Sequence, residues 1–140
     1  MGVYNGSATG QELDAGAALA KAFGGVKIKG SVGNVQNGAV CYIGQIAANY
    51  SAIQIIGCGN RVINVVIAKP SSGTTISAYT MKGTIDGFQI YVDPSNGKVY
   101  LVAPSGTSIR PLALSYHDSN ILSCTPEQAL PSGAVQLTLT

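Results

Sequence analysis

The fold is decided by residues 88–102, which read FQIYVDPSNGKVYLV. Two runs of β-branched and aromatic residues flank the sequence Asp-Pro-Ser-Asn-Gly, whose residue types all favour turns. The proline fixes φ at the first corner, and the Asn-Gly pair tolerates the positive φ values that a tight turn needs. The stretch therefore predicts an antiparallel hairpin with its loop over residues 94–97.

The register of this hairpin follows from the position of the loop. One face of the two strands then carries apolar side chains, and the other face places tyrosine opposite tyrosine and a carboxylate opposite an ammonium. The predicted pairs are Asp93–Lys98, Val92–Val99, Tyr91–Tyr100 and Ile90–Leu101. The residues predicted to face the core are Phe88, Ile90, Val92, Val99 and Leu101.

Short apolar or alternating runs, separated by clusters of Gly, Pro, Asn and Ser, continue outward from the hairpin in both directions. About nine or ten strands with a turn signal every 8–12 residues are typical of a sandwich or barrel. We therefore predict an all-β fold, an antiparallel, jelly-roll-like β-sandwich, over residues 26–140. Residues 61–68 are apolar at both alternating sets of positions, which predicts a central strand covered on both faces. Residues 134–140 alternate to the last position and predict a closing strand.

The N-terminal residues 1–25 predict a connector that contains one short helix. Asp14 can cap the Ala-rich run Ala15–Phe23, in which Leu19 and Phe23 are four residues apart. The pair Gly24–Gly25 ends this run. We therefore divide the chain into a connector with a helix and a sandwich domain.

The composition of the 140-residue chain argues against several classes of partner. Charged residues make up only 10% and the net charge is +2, against about 25% charged residues in typical soluble proteins. Two Arg and six scattered Lys do not form a surface that would bind nucleic acid. Every apolar run is far shorter than the roughly 20 residues of a membrane span, so membrane insertion is not expected. A neutral surface of this kind suggests that partner subunits cover part of it.

The cysteines do not predict a metal site or a disulfide framework. No Cys-x-x-Cys pair occurs, and the single histidine leaves too few soft ligands for zinc. We expect no cofactor, and we expect three buried, reduced thiols, which suits folding in a bacterial cytoplasm. They are Cys41, Cys58 and Cys124.

The candidate catalytic residues are too close together in sequence to form a triad. Ser115, His117 and Asp118 lie on one predicted loop, whereas a catalytic histidine is held between partners from separate elements. Cys58 precedes the single histidine, contrary to the order in chymotrypsin-like cysteine proteases. We expect no enzymatic activity, and a small β-fold hydrolase that uses Cys58 or His117 remains an alternative.

Seven tyrosines and no tryptophan are set among neutral loops. A tyrosine has an apolar ring and a polar tip, and such side chains suit contacts with sugars or proteins. We expect Tyr50, Tyr79 and Tyr116 to be exposed and, with His117, to be candidate ligand-binding residues. The alternative, that these tyrosines are half-buried parts of the sandwich, stays open.

Three segments, Asp86–Val92, Asn96–Val102 and Ala134–Thr140, resemble the C-terminal receptor-binding head of a bacteriophage tail fibre. The resemblance implies a homotrimer in a virion, with one sandwich per subunit. It also implies that loops at the distal end bind a glycan or protein of the host surface. Another small virion protein, such as a capsid decoration or head-fibre component, is an alternative. A bacterial surface adhesin or pilus-like module is a further one.

Overall fold

The computed structural model describes residues 27–30 and 33–140, which form ten β-strands and one short 3-10 helix, Ile76–Ala78. The strands are β1 (Lys27–Lys29), β2 (Val40–Gln45), β3 (Ser51–Gly59), β4 (Val62–Lys69), β5 (Thr80–Thr84), β6 (Gln89–Asp93), β7 (Lys98–Val102), β8 (Ile109–Ser115), β9 (Ile121–Glu127) and β10 (Val135–Leu137). The helix expected at Ala15–Phe23 lies outside the described residues. Within the described part, no helix is long and apolar enough to cross a membrane.

The strands form two five-stranded sheets. Sheet A has the order β1-β8-β3-β4-β5, and sheet B has the order β10-β6-β7-β2-β9. All strand pairs are antiparallel, and one apolar cluster joins the inner faces of the two sheets. The predicted antiparallel sandwich is therefore confirmed. Fully buried members of the cluster include Ile43, Ile53, Ile55, Ile63, Val65, Ile67, Ile90, Val92, Val99 and Leu101.

The hairpin of β6 and β7 has the predicted register at every pair. In its loop, the Asp93 carboxylate accepts hydrogen bonds from the Ser95 amide (3.0 Å) and hydroxyl (2.6 Å). The Ser95 hydrogen bonds lower the pKa of Asp93. Gly97 has a φ of 77°, and its carbonyl accepts a hydrogen bond of 2.9 Å from the Ile46 amide. The loop thus joins its own hairpin to the end of β2.

Within residues 27–30 and 33–140, strand β4 is covered on one face only, so the prediction that it is covered on both faces was wrong for the part of the chain that the structure describes. Ile63, Val65 and Ile67 point into the sandwich and are fully buried. On the opposite face, Val62 is 50% exposed and Val66 is half-buried. The outward positions are apolar without being packed against another layer of the described chain.

The neighbours of β4 continue this pattern, and together they form what we call the outer face of sheet A. The outward positions of β4 pair with those of β3, and the outward positions of β3 pair with those of β8. Those of β8 pair in turn with those of β1. The apolar members of the face are Ile28, Ala52, Ile56, Val62, Val66, Ala68, Leu112 and Leu114. Gln54 and Asn64 lie near its centre. Lys82 lies on the edge strand β5, and Arg110 lies near the start of β8, where it pairs with Cys58. The described positions of this face carry no carboxylate.

The last strand is shorter than the sequence predicts. Strand β10 pairs with β6 over Val135–Leu137 only. The chain then crosses to sheet A, where the Thr140 amide donates a hydrogen bond of 2.9 Å to the Met81 carbonyl and Lys82 Nζ donates one of 3.1 Å to the Thr140 carbonyl. The prediction of a strand to the last residue was wrong because the final backbone groups pair with the other sheet.

A candidate binding groove on sheet A

A surface groove of about 350 Å³ lies at one end of sheet A. It forms where β3 begins and where β4 and β8 end. Two alanines at its base, Ala52 and Ala68, are directly paired across β3 and β4. Because each has only a methyl side chain, the surface there is lower than at the flanking aromatic residues. The lining residues are Tyr50, Ser51, Ala52, Ala68, Lys69, Pro70 and Tyr116.

Tyr50 projects from the turn before β3 and is 79% exposed. Its φ of 59° lies in the left-handed region, which costs a side-chain-bearing residue about 1–2 kcal/mol. A hydrogen bond of 2.7 Å from its amide to the Lys69 carbonyl holds this conformation. Non-glycine residues with such backbone strain cluster at functional sites. An exposed aromatic ring held in a strained backbone is therefore the feature of this groove that most clearly indicates binding.

Tyr116 follows the end of β8 and is 44% exposed. Its amide donates a hydrogen bond of 3.0 Å to the Ala52 carbonyl. Its hydroxyl donates to Gln54 Oε1, and Gln54 Nε2 donates in turn to Asn64 Oδ1 at 2.8 Å. This chain of hydrogen bonds along the outer face fixes the orientation of the ring, so that Tyr116 is presented in a defined position.

A buried polar cluster supports the groove from below. Ser51 is 6% exposed and Asn120 is 1% exposed. The Ser51 hydroxyl lies 2.7 Å from the Ala48 carbonyl and 3.1 Å from Asn120 Oδ1, and Asn120 Nδ2 donates to the Ala52 carbonyl at 3.0 Å. Buried polar groups that are satisfied in this way hold the surrounding backbone in one arrangement. The loops that carry both groove tyrosines are thereby tied together.

Lys69 is the charged residue among the described lining residues, but it pairs with the buried Ser51 at an inward position of β4, so its ammonium lies on the inner side of sheet A. The Lys69 ammonium lies 5.5 Å from the centroid of the Tyr79 ring, within the range of a cation–π contact. Over residues 27–30 and 33–140, the single ion pair joins Arg61 and Asp86 at 3.5 Å. Lys69 therefore has no carboxylate partner within the described part of the chain.

The groove brings together two of the four predicted binding residues. His117 follows Tyr116 but does not line the groove, and its Nδ1 accepts a hydrogen bond of 3.2 Å from the Ser119 amide. Tyr79 is 3% exposed, so the expectation that it is exposed was wrong. It shares the inward face with the fully buried Met81 two residues later. That i, i+2 spacing is the signal in the sequence that could have predicted its burial.

Sequence reasoning missed Lys69 and the alanine pair, which no local pattern marks. They reach the groove because β4 ends beside the start of β3. The groove is assembled from three segments that are distant in sequence, and only the strand pairing brings them together.

The thiols are distributed differently from the prediction. Cys41 and Cys124 are buried, and all three cysteines are free. Burial raises the pKa of Cys41 to about 11, with Cys124 contributing in the same direction. Cys58 is exposed, so the prediction was wrong for this residue, because it occupies an outward position of β3 between Gly57 and Gly59.

The two residues of the hydrolase alternative lie at opposite ends of sheet A. Cys58 pairs with Arg110, whereas His117 follows the residue that hydrogen-bonds to Ala52. Cys58 lies six residue steps after Ala52 on β3, which corresponds to about 20 Å at roughly 3.3 Å per residue. Ser115 is buried and its hydroxyl donates to the His117 carbonyl at 3.0 Å, not to the imidazole ring. These residues do not form a nucleophile–base pair.

Known proteins offer no guide to the groove. No family model, curated protein or solved structure matches the chain. Within the described residues, no group of three His, Cys, Asp or Glu side chains is placed to hold a metal ion. The functional interpretation therefore depends on the geometry of the groove and of the outer face of sheet A.

Proposed function

We propose that the chain is a non-enzymatic receptor-binding domain of a virion, the jelly-roll-like head of a phage tail fibre, which binds a glycan or protein of the host surface. The observation that carries the proposal is Tyr50, an exposed aromatic side chain held in a left-handed conformation. Tyr116 lines the same groove and is held in place by Gln54. Five connections pass from one sheet to the other, which supports the jelly-roll-like description.

The chemistry of the groove suits a short, polar ligand segment. Tyrosine rings stack on the apolar faces of sugars and amino acids, and their hydroxyls bind polar groups at the edge. A volume of about 350 Å³ lies near the lower end of the roughly 300–1,000 Å³ found for small-molecule sites. The groove would therefore bind one end or one short segment of a larger surface molecule.

The outer face of sheet A supports the proposal of a homotrimer. Ile28 is 68% exposed and Val62 is 50% exposed, within a face of half-buried aliphatic side chains. Five strands about 4.8 Å apart, at about 3.3 Å per residue, give a surface of roughly 500 Å². Turned toward a three-fold axis, each face contacts both neighbouring subunits, so any two subunits together bury about 500 Å² of it, against roughly 1,000 Å² for a specific interface. The proposed trimer therefore needs further contacts beyond this face, and the end of the face at Ala52 and Ala68, which lines the groove, stays open to the ligand.

The binding proposal is tested on a printed panel of bacterial surface polysaccharides and lipopolysaccharides. The wild-type chain should bind a subset, and Tyr50→Ala and Tyr116→Ala should each weaken that binding at least tenfold. Tyr91→Ala is the matched control, because Tyr91 is a partly buried tyrosine on sheet B, outside the groove. Equal binding by all three variants would refute a role for the groove.

The trimer proposal is tested by light scattering behind a sizing column. The wild-type mass should be three times the 14.2 kDa of one chain, and Val62→Lys should reduce it toward that of one chain. Gln89→Lys places the same charge at an exposed position of sheet B and should leave the mass unchanged. A monomeric wild type would contradict the trimer and favour the adhesin alternative.

A further inference from the structure

We infer that the groove selects an uncharged sugar unit of the deoxyhexose class and holds its methyl group against the paired alanines at the groove base. This inference rests on the proposed function, since it names the ligand class of the same groove. It begins from the question of which lining side chains face the ligand. Ser51 and Lys69 belong to the lining, but they pair with each other at inward positions of β3 and β4, and Ser51 is buried.

The side chains that remain on the groove side carry no charge and few hydrogen-bonding groups. The paired alanines present methyl groups, and Pro70 has neither a polar side chain nor an amide N–H. The polar side-chain atoms are the hydroxyls of Tyr50 and Tyr116, and the Tyr116 hydroxyl already donates its hydrogen to Gln54. A ligand therefore meets an apolar base and two aromatic rings with polar tips.

The backbone at the base of the groove is already hydrogen-bonded. The Ala52 carbonyl accepts hydrogen bonds from the Tyr116 amide and from Asn120 Nδ2, both at 3.0 Å, and Ala52 is paired with Ala68. A ligand hydroxyl or amide pressed against this base would lose its water without gaining a partner, which is costly. A methyl group loses no hydrogen bond there and adds apolar burial.

The same lack of partners separates the ligands that could bring a methyl or methylene group to the base. The acetamido group of an N-acetyl sugar and the backbone of a peptide each carry an N–H and a C=O beside their apolar atoms. In a deoxyhexose the methyl group is bonded directly to the ring, so no N–H or C=O accompanies it. The C–H face of that ring can stack on the exposed Tyr50 ring, while its hydroxyls stay near the rim, where water and the Tyr50 hydroxyl can bind them.

The test uses two pairs of methyl glycosides, those of L-fucose and L-galactose and those of L-rhamnose and L-mannose. The members of each pair differ only in that a methyl group replaces a hydroxymethyl group on the ring. Binding is followed by NMR titration of the full chain with isotope-labelled alanine methyl groups. In at least one pair the deoxy sugar should bind about tenfold more tightly, and it should shift the methyl signals of Ala52 and Ala68.

Substitutions at the base should change this preference. Ala68→Ser places a hydroxyl there, so the preference for the deoxy sugar should fall from about tenfold to about twofold. Ala52→Ser makes the same change on β3 and should act in the same direction. Val66→Thr is the matched control, because it adds a hydroxyl at the preceding outward position of β4, outside the lining, and should leave the preference unchanged. Thermal unfolding checks that each variant keeps the fold.

Each other outcome separates this inference from the proposed function. If both members of each pair bind equally and Tyr50→Ala weakens them all, the groove is a glycan site but the selection of a methyl group is refuted. If both serine variants keep the full preference, the methyl group does not contact the alanines and the inference fails. If no glycoside binds while Tyr50→Ala still weakens binding to the polysaccharide panel, the ligand class is wrong and the receptor-binding function stands. If a proline-bearing peptide shifts the two alanine signals and no glycoside does, the ligand is a peptide and the inference is overturned.

Discussion

Replacement of Tyr50 by asparagine should separate stability from binding. The left-handed backbone costs a tyrosine about 1–2 kcal/mol, and asparagine tolerates that conformation better. Tyr50 is 79% exposed, so about one fifth of its surface is covered. Roughly 200 Å² for the side chain then gives about 40 Å² of lost burial, or at most about 1 kcal/mol. We expect Tyr50→Asn to raise the free energy of unfolding by about 0–1 kcal/mol.

The same substitution should weaken binding to the polysaccharide panel at least tenfold, because the ring that stacks on the ligand is lost. Stability is measured by urea unfolding at one fixed protein concentration, since association shifts the apparent value. Phe88→Ala serves as the control for a packed aromatic residue (1% exposed) and should lose about 3–5 kcal/mol. A loss of more than about 1 kcal/mol for Tyr50→Asn would refute the account of a strained, functional tyrosine.

Three further predictions concern the sandwich itself. Gly97→Ala should destabilise the fold by at least about 2 kcal/mol more than Gly106→Ala. Both glycines have positive φ, but a Cβ at Gly97 would lie 2.2 Å from a backbone oxygen, whereas one at Gly106 would meet nothing within 4 Å. Equal losses in thermal unfolding would contradict this prediction. Asn120→Ala should cost about 2–3 kcal/mol, since it leaves buried partners unsatisfied, and a loss below about 0.5 kcal/mol would count against the supporting cluster. Cys58 should react with one equivalent of Ellman's reagent at pH 8, whereas Cys41, whose pKa is raised to about 11 by burial, should not react. Uptake of two or more equivalents without denaturant would contradict the burial of the other thiols.

The hairpin of β6 and β7 could be predicted from the sequence because its information is local. The loop chemistry, the pairing across the turn and the apolar face all lie within 15 residues and agree with one another. The apolar character of β4 was equally clear, but apolarity does not say what covers a residue. Val62 and Val66 could not be distinguished from core residues, since an apolar residue on the outward face of the sheet has the same character in the sequence as one that packs against the second sheet.

The groove could not be predicted beyond its two exposed tyrosines. Tyr50, Lys69 and Tyr116 come from three separate segments, and no local pattern states that those segments meet. The left-handed φ of Tyr50 is set by its hydrogen bond to Lys69, which is a tertiary contact. Tyr79 was assigned to the surface because its Thr- and Ser-rich surroundings outweighed the nearby Met81.

The crossing of the chain between the two sheets has a kinetic consequence. Lys27 pairs with Ser115 and Val40 pairs with Glu127, so each of these contacts closes a loop of more than eighty residues. Strands β3, β4 and β5 and the β6–β7 hairpin, by contrast, pair with neighbours in sequence. Contacts between distant residues slow folding to milliseconds or seconds. Refolding should therefore be slow. Its yield should fall as the chain concentration rises, because the edge of β7 stays unpaired, and open to other chains, until β2 pairs with it.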